Sequence, residues 1–326
     1  MADHVDPGSP DHPDRLGEPR WDGSRDRMEV WYATFTDPAT GEGFWLHWEV
    51  LARTDGSTQA YGWAAAFPPD EPPTVERFGP EPVIGGVPPA GEGTWFDAAG
   101  ARVGPGVMAG ETRTMSWDLA YRDAAPPLFT FPSYVWHRQL LPSAQCVPWP
   151  SMEVSGTFTV GERTVNLDKA RGGLSRIYGH GNAQHWGWLH ADLGDGDVLE
   201  IVAAKGRRPG LRLVPPKVFA QLRVDGADWP SDPVVTAGTS RARLDLPRWY
   251  ATVTTATKRL RVAVRVPPTS SVTLEYRDPD DAQAFCTNSC RADAEVRLER
   301  RAGLTWQPER RWSLRGTAHA EIGERP

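Results

Sequence analysis

The chain has 326 residues, 39% of them hydrophobic, with 32 glycines, 31 prolines and 15 tryptophans. That length buries a sizeable core in two domains or one large β-structure, and a turn-rich composition without a long helical-period stretch points to nearly all-β. A formal net charge of −6, with Arg297, Arg300, Arg301, Arg310 and Arg311 interspersed among Glu295, Glu299 and Glu309, leaves no basic footprint for nucleic acid.

In chain order, residues 1–26 are rich in Pro, Asp, Gly and Arg and too poor in apolar groups to offset the entropy of ordering, so a disordered tail is expected. The start has neither a basic n-region nor an apolar h-region, and no apolar run nears the ~20 residues of a bilayer span. A cytoplasmic protein is therefore expected, with transient contact at a membrane surface as a route to a lipophilic ligand. Met28 to Thr36 and Phe44 to Ala52 read as paired strands around the turn DPATGEG, and Tyr61 to Phe67 as a third. The Pro/Gly run from Pro68 to Gly93 reads as a rim loop with short extended pieces. Trp95–Phe96 and Thr112 to Tyr121 complete an N-terminal β-domain over 27–140. Ala124 to Pro150, with six prolines, reads as the crossover to a larger β-domain over 141–326.

The second half supplies more strands: Met152 to Val160, Arg163 to Leu167, Val218 to Val224, Ala242 to Asp245, Tyr250 to Thr255, Leu260 to Val266, Val272 to Tyr276, Ala294 to Arg300, Arg311 to Arg315 and Ala318 to Ile322. Its most informative segment is Gly173 to Ala204. From His185 onward Trp186, Trp188, His190 and Asp192 fall on one side of an extended chain, and Gly187, Leu189, Ala191 and Leu193 on the other. Gly194 to Asp197 then turns the chain back as a hairpin into Val198 to Ala204. Two indoles, an imidazole and a carboxylate in one row suit the wall of a cavity. Many short, turn-bounded strands suit two antiparallel β-barrels, or strongly curved sandwiches, in tandem, with few or no helices.

With those segments placed, the chain resembles the tocopherol cyclases and, more loosely, the carotenoid hydratases and the AttH-like two-domain lipocalin-like proteins. Glu29-Val30-Trp31-Tyr32 is similar to the cyclases' E-G-W-Y opening, and Phe131-Pro132 with His137 and Gln139 to their joining segment. Tyr178, His180, Asn182, Trp186 and Trp188 resemble a Y-x-E-K-N-W-G run followed by W-x-W. Arg207 to Leu213 is similar to a family loop, Cys286-Thr-Asn-Ser-Cys290 to C-R-D-S-C, and AHAEIG at Ala318 to Gly323 to the closing A-A-x-E-I-G. The resemblance implies two lipocalin-like barrels and a long apolar ligand, an isoprenoid or polyketide, hydrated or cyclised at a C=C bond without a redox cofactor. His180 and Gly181 replace the family's glutamate and lysine, and Ala183 its tryptophan, so tocopherol cyclisation itself is not carried over.

Such chemistry needs a proton donor, exclusion of bulk water, and a means to stabilise positive charge. Aromatic faces supply the last, at ~2 kcal/mol or more when desolvated. Trp186 and Trp188 are the candidates, though both also read as ordinary barrel core. For the acid, His180 and His190 come first, near the unperturbed imidazole pKa of ~6.5, then Glu49 and Asp118, which burial would keep protonated. Glu49 shares a face with Trp45 and His47, and an outward, solvated placement of His47 and Glu49 stays open. Trp31, Trp45, Tyr178, Asn182 and His137 complete the expected ligand-binding set, with His137 equally readable as structural. His180, His185 and His190 step by five, which puts the last two on opposite faces of a strand, so no metal site is expected. Neither a nucleophile elbow nor a dinucleotide fingerprint occurs. The three cysteines, Cys146, Cys286 and Cys290, are expected as free thiols, with a local Cys286 to Cys290 cross-link left open. Hydratase or cyclase, non-catalytic carrier of a hydrophobic molecule, and pericyclase acting by substrate folding are the readings carried forward.

Overall fold

The computed structural model describes residues 6, 8–122, 125–207 and 214–326. The chain divides into two compact units. One comprises Met1–Phe129, Ser133–Gly181 and Arg277–Ala282; the other comprises Thr130–Pro132, Asn182–Tyr276 and Gln283–Pro326. Among the described residues, no helix is long and apolar enough to cross a membrane.

The first unit opens with the short helix α1 (Pro13–Gly17). Its strands are β1 (Arg27–Thr36), β2 (Gly43–Ala52), β3 (Thr58–Phe67), β4 (Thr74–Pro82), β5 (Phe96–Ala98), β6 (Ala101–Gly104), β7 (Val107–Glu111) and β8 (Met115–Arg122). After helix α2 (Ser133–Arg138) come β9 (Ser143–Val160) and β10 (Arg163–Gly179). They form one ten-stranded sheet in the order β4-β3-β2-β1-β10-β9-β8-β7-β6-β5. The sheet is a nearly closed barrel. Two carboxylates on β4 bridge its open edge: Glu76 accepts from Thr112 Oγ1 and Thr114 N–H, and Glu81 from Ala99 N–H. Trp31, Ala33 and Phe35 of β1 and Phe44, Leu46, Trp48 and Val50 of β2 point into the packed interior, as the period of two requires. Burying each large side chain contributes ~1.5–3 kcal/mol, which makes this interior the main stabilising element of the unit.

The expectations fail here in three places. Residues 8–26 are not a free tail. Leu16 and Trp21 are buried in the core, the Trp31 indole donates to Gly17 O, and the wholly buried Arg176 donates to Leu16 O and Glu18 O. Two apolar anchors and buried donors seeking carbonyls outweigh the polar composition. The first unit also runs past residue 140: β9 and β10 pair with each other and with β8 and β1, so the Pro-rich crossover leads back into the same sheet. Finally, the Pro68 to Gly93 stretch contains a nine-residue strand, β4, paired to β3.

The second unit comprises β11 (His185–Gly194), β12 (Asp197–Lys205), β13 (Lys217–Val224), β14 (Ala227–Trp229), helix α3 (Pro233–Thr236), β15 (Arg241–Leu244), β16 (Arg248–Thr254), β17 (Lys258–Arg265), β18 (Val272–Arg277), β19 (Gln283–Ala302) and β20 (Thr305–Glu324). The sheet order is β14-β13-β12-β11-β20-β19-β17-β16-β15, with β18 on β19. It curls around a core that joins Val218, Ala220 and Leu222 of β13 to Trp249 and Ala251 of β16. Ser240 Oγ, ahead of β15, accepts from Val218 N–H and donates to Val218 O, tying the two ends. Of the family-like loop from Arg207, positions 208–213 lie outside the described residues.

Candidate functional site

Sequence sets the site through one tight turn. Asp195 and Gly196 both adopt positive φ, 54° and 83°, the geometry that a two-residue hairpin turn demands. That turn, together with a one-residue register shift between Asp192 and Gly194, places His190 opposite Glu200 and Trp188 opposite Val202. Along its other edge β11 meets β20, pairing His190 with His319, Trp188 with Glu321 and Trp186 with Gly323. β19 then adds Asn288 beside Glu321 and Cys286 beside Gly323. Because side chains alternate, these groups share one face of the sheet, while Leu189, Ala191, Leu199, Ile201, Ala320 and Ile322 fill the core on the other.

The shared face is polar yet buried. Glu200, with no exposed surface, accepts from Trp188 Nε1 at 2.5 Å and meets His190 Nδ1 at 3.0 Å. Glu321 repeats the theme, accepting from Trp186 Nε1 at 2.8 Å and Asn288 Nδ2 at 3.4 Å. Each indole is thus held by its N–H on a carboxylate, Glu200 fully buried and Glu321 partly so. The Trp186 ring also packs against Gly323, where an added Cβ would come within 1.9 Å of it. His190 is 1% exposed, and its Nε2 has no hydrogen-bond partner among the described residues; nor has Asn288 Oδ1. With Glu200 accepting at Nδ1, the ring is held with that nitrogen protonated, leaving Nε2 to take or give a proton.

His319 stacks on His190, ring centroids 5.8 Å apart. Burial, reinforced by His190, holds its pKa well below the ordinary value, so it stays neutral. Burial, then Glu321, pushes the Cys286 and Cys290 thiols well above theirs, and all three cysteines are free and buried.

The first unit holds a second buried pair on the face of β1–β3 turned away from its core. His47 Nε2 lies 3.1 Å from Glu49 Oε2, and Trp45 and Trp63 pack on the imidazole at 5.3 and 5.0 Å between centroids. Both residues are buried, so the solvated alternative does not hold. Glu49 also bonds Tyr61, whose pKa is raised well above normal by burial first and by Glu49 second. Asp118 is a correction: it is on the exposed side of β8, whose residues alternate buried and exposed, so it lacks the burial expected of it.

His180, just after β10, is partly exposed and contacts Asp26 Oδ2 and Arg27 Nη1 through Nδ1, both at 2.8 Å. Tyr178 lies under the Arg20 guanidinium at 4.9 Å, and Trp31 belongs to the packed interior with Arg176 over its ring at 4.5 Å. His137 lies in the last turn of α2 with Nε2 2.6 Å from Asp11 Oδ1. Asn182 is half-buried, in the link between β10 and β11. Of the expected residues, Trp186, Trp188 and His190 come together in the second unit; Trp45 and Glu49 do so in the first.

Glu200, His319, Glu321 and Asn288 were missed. Glu200 was legible only in part: it is the one ionisable group between Val198 and Ala204, but counting outward from the Asp195-Gly196 turn puts it across from Ala191, and a one-residue register shift between Asp192 and Gly194 brings it opposite His190 instead. His319 and Glu321 depend on the β11–β20 pairing, which joins segments about 130 residues apart and leaves no local signal.

A family model described as tocopherol cyclase-like matches residues 25–324. An uncharacterized protein of Mycobacterium tuberculosis, found in strains H37Rv and CDC 1551, is 46% identical over 307 residues, covering 94% of this chain and 89% of its own. Among solved structures, a candidate AttH from Nitrosomonas europaea aligns with a TM-score of 0.55 at 16% identity, covering 98% of both chains. Kievitone hydratase from Nectria haematococca aligns with a TM-score of 0.55 at 9% identity, covering 94% of this chain and 90% of that one. At these identities the two structures share the fold with this chain.

Proposed function

This chain belongs to the tocopherol cyclase-like family, and from that premise we propose that it is a lyase- or isomerase-type enzyme that hydrates or cyclises a lipophilic isoprenoid or polyketide at a C=C bond. The observation that carries the reading is His190: wholly buried, oriented by Glu200 at Nδ1, with Nε2 unpartnered among the described residues. A neighbour of the same fold named as a hydratase agrees with the reaction class.

In this mechanism protonated His190 gives the Nε2 proton to one alkene carbon, and the other carbon becomes cationic. Glu200 stabilises the imidazolium before transfer. The faces of Trp186 and Trp188, fixed by their N–H bonds to Glu321 and Glu200, stabilise the carbocation through the ring quadrupole. A water molecule, or a hydroxyl of the substrate itself, adds to the cation and returns a proton to Nε2. The net result is addition of water or closure of an ether ring, with no change of oxidation state in the protein. His319, kept neutral by burial, adds no second positive charge beside His190. Asn288 Oδ1 offers a buried acceptor for a hydroxyl at the polar end of the ligand.

The test is turnover of prenylated phenols and aliphatic isoprenoid alkenes, followed by mass spectrometry, beside ligand binding by quenching of tryptophan fluorescence. His190→Ala is expected to bind with little change and to lose turnover. Equal turnover in His190→Ala removes it as the acid, and binding without conversion in the native protein supports a carrier instead.

A further inference from the structure

The face of β20 that carries His319 and Glu321 also carries Arg311 and Arg315, and the register there aligns arginines across the sheet. Arg311 pairs with Arg297 on β19, Arg297 with Arg261 on β17, Arg261 with Thr252 on β16, and Thr252 with Arg241 on β15. At ~4.8 Å per strand the row spans roughly 19 Å, and all four arginines are exposed. Like charges directly opposite one another destabilise a sheet, so a run of three adjacent arginines is not what folding alone selects.

The neighbouring acids are already engaged. Glu295 accepts from Arg311, Ser313 and Arg315, Glu299 holds Arg259, and Asp293 meets Arg265. Among the described residues Arg241, Arg261 and Arg297 make no ion pair or hydrogen bond. This local excess stands in a chain of net charge −6, so it is not a consequence of overall basicity. At the turn joining β19 to β20, Leu304 is 94% exposed beside Arg301, whose guanidinium rests on Trp306 at 5.8 Å.

We propose that the arginine row of Arg241, Arg261, Arg297 and Arg311, with Leu304 at the hairpin tip, is a docking surface for an anionic lipid bilayer. Guanidinium groups in a row match lipid phosphates, and an apolar tip suits insertion among headgroups, which a nucleic-acid backbone does not offer. The proposal stands on this surface and not on the catalytic reading.

Flotation of the full chain with vesicles of phosphatidylglycerol and phosphatidylcholine in equal parts, against pure phosphatidylcholine, tests it. The expected result is partition onto the anionic vesicles alone, weakening as salt is raised. The double variant Arg261→Gln, Arg297→Gln is expected to bind roughly thirtyfold more weakly, at about fivefold per arginine, and Leu304→Ser to weaken binding as well. Because the double variant removes opposed like charges, its melting temperature should hold or rise, which separates lost docking from lost folding. Equal partition onto both vesicles, no partition, undiminished binding by the double variant, or preference for a single-stranded oligonucleotide over anionic vesicles would each overturn the proposal.

Discussion

Replacing Glu200 with alanine probes the site at its hinge. The carboxylate is wholly buried and serves two buried donors, Trp188 Nε1 and His190 Nδ1. Each donor left without an acceptor costs ~1–3 kcal/mol, so Glu200→Ala is expected to destabilise the protein by ~2–6 kcal/mol, before any contribution from the void. Glu200→Gln keeps one acceptor oxygen and should fall between, at ~1–3 kcal/mol. Its amide N–H₂ faces His190, which favours the tautomer with the proton on Nε2 and reverses the polarity of the atom proposed to react. Turnover should therefore fall by about a hundredfold or more, the scale of general acid–base catalysis. Urea titration with tryptophan fluorescence reads the stability, and product formation reads the activity. If Glu200→Ala unfolds at the native denaturant midpoint, the carboxylate is hydrated rather than buried, and the orientation argument for His190 fails with it.

Three further outcomes follow from buried groups. The unfolded His319 imidazole takes up a proton near ~6.5 while the folded one does so only well below, so the unfolded state binds more protons as pH falls. Stability is then lost from about pH 6.5 downward, with a slope of at most ~1.4 kcal/mol per pH unit from this group. Urea midpoints across that window should be flatter in His319→Gln, and an unchanged slope contradicts the assignment. Arg176→Met leaves Glu29 as a buried, uncompensated carboxylate and should cost ~3–5 kcal/mol by thermal unfolding; Glu29→Gln added to it should recover part of the loss. The thiols, with Cys146 raised by burial to about 12 and Cys286 and Cys290 raised well above the ordinary thiol value, should resist a thiol-specific chromogenic reagent in the native protein. All should react once it is unfolded, and fast labelling of the native chain refutes their burial.

Much of the fold was legible because strands announce themselves by a period of two. The β1–β2 hairpin was read from two β-prone runs around a cluster of turn residues, and the Trp186-Trp188-His190 face from alternation. That reading could not say which face is wet. Trp45, His47 and Glu49 look like an outward face beside Phe44, Leu46, Trp48 and Val50, yet every residue of β2 is buried. Asp118 failed in the opposite sense, since Ser116, Asp118 and Ala120 form the solvent side of β8. The ordered segment at 8–26 was hidden because only two apolar anchors, Leu16 and Trp21, stand in a polar stretch, and its other anchors are carbonyl groups whose donor, Arg176, lies about 160 residues away. Half of the candidate site was missed for a related reason: strand pairing across the chain, not local pattern, brings Glu321 and His319 to β11.

The central claim is that His190 delivers a proton to carbon, and solvent isotope measures this directly. When a converted prenylated substrate is formed in D₂O, the product should carry one deuterium on carbon, detected by mass spectrometry, and His190→Ala should form none. Product without deuterium on carbon, or deuterated product formed equally well by His190→Ala, would contradict it.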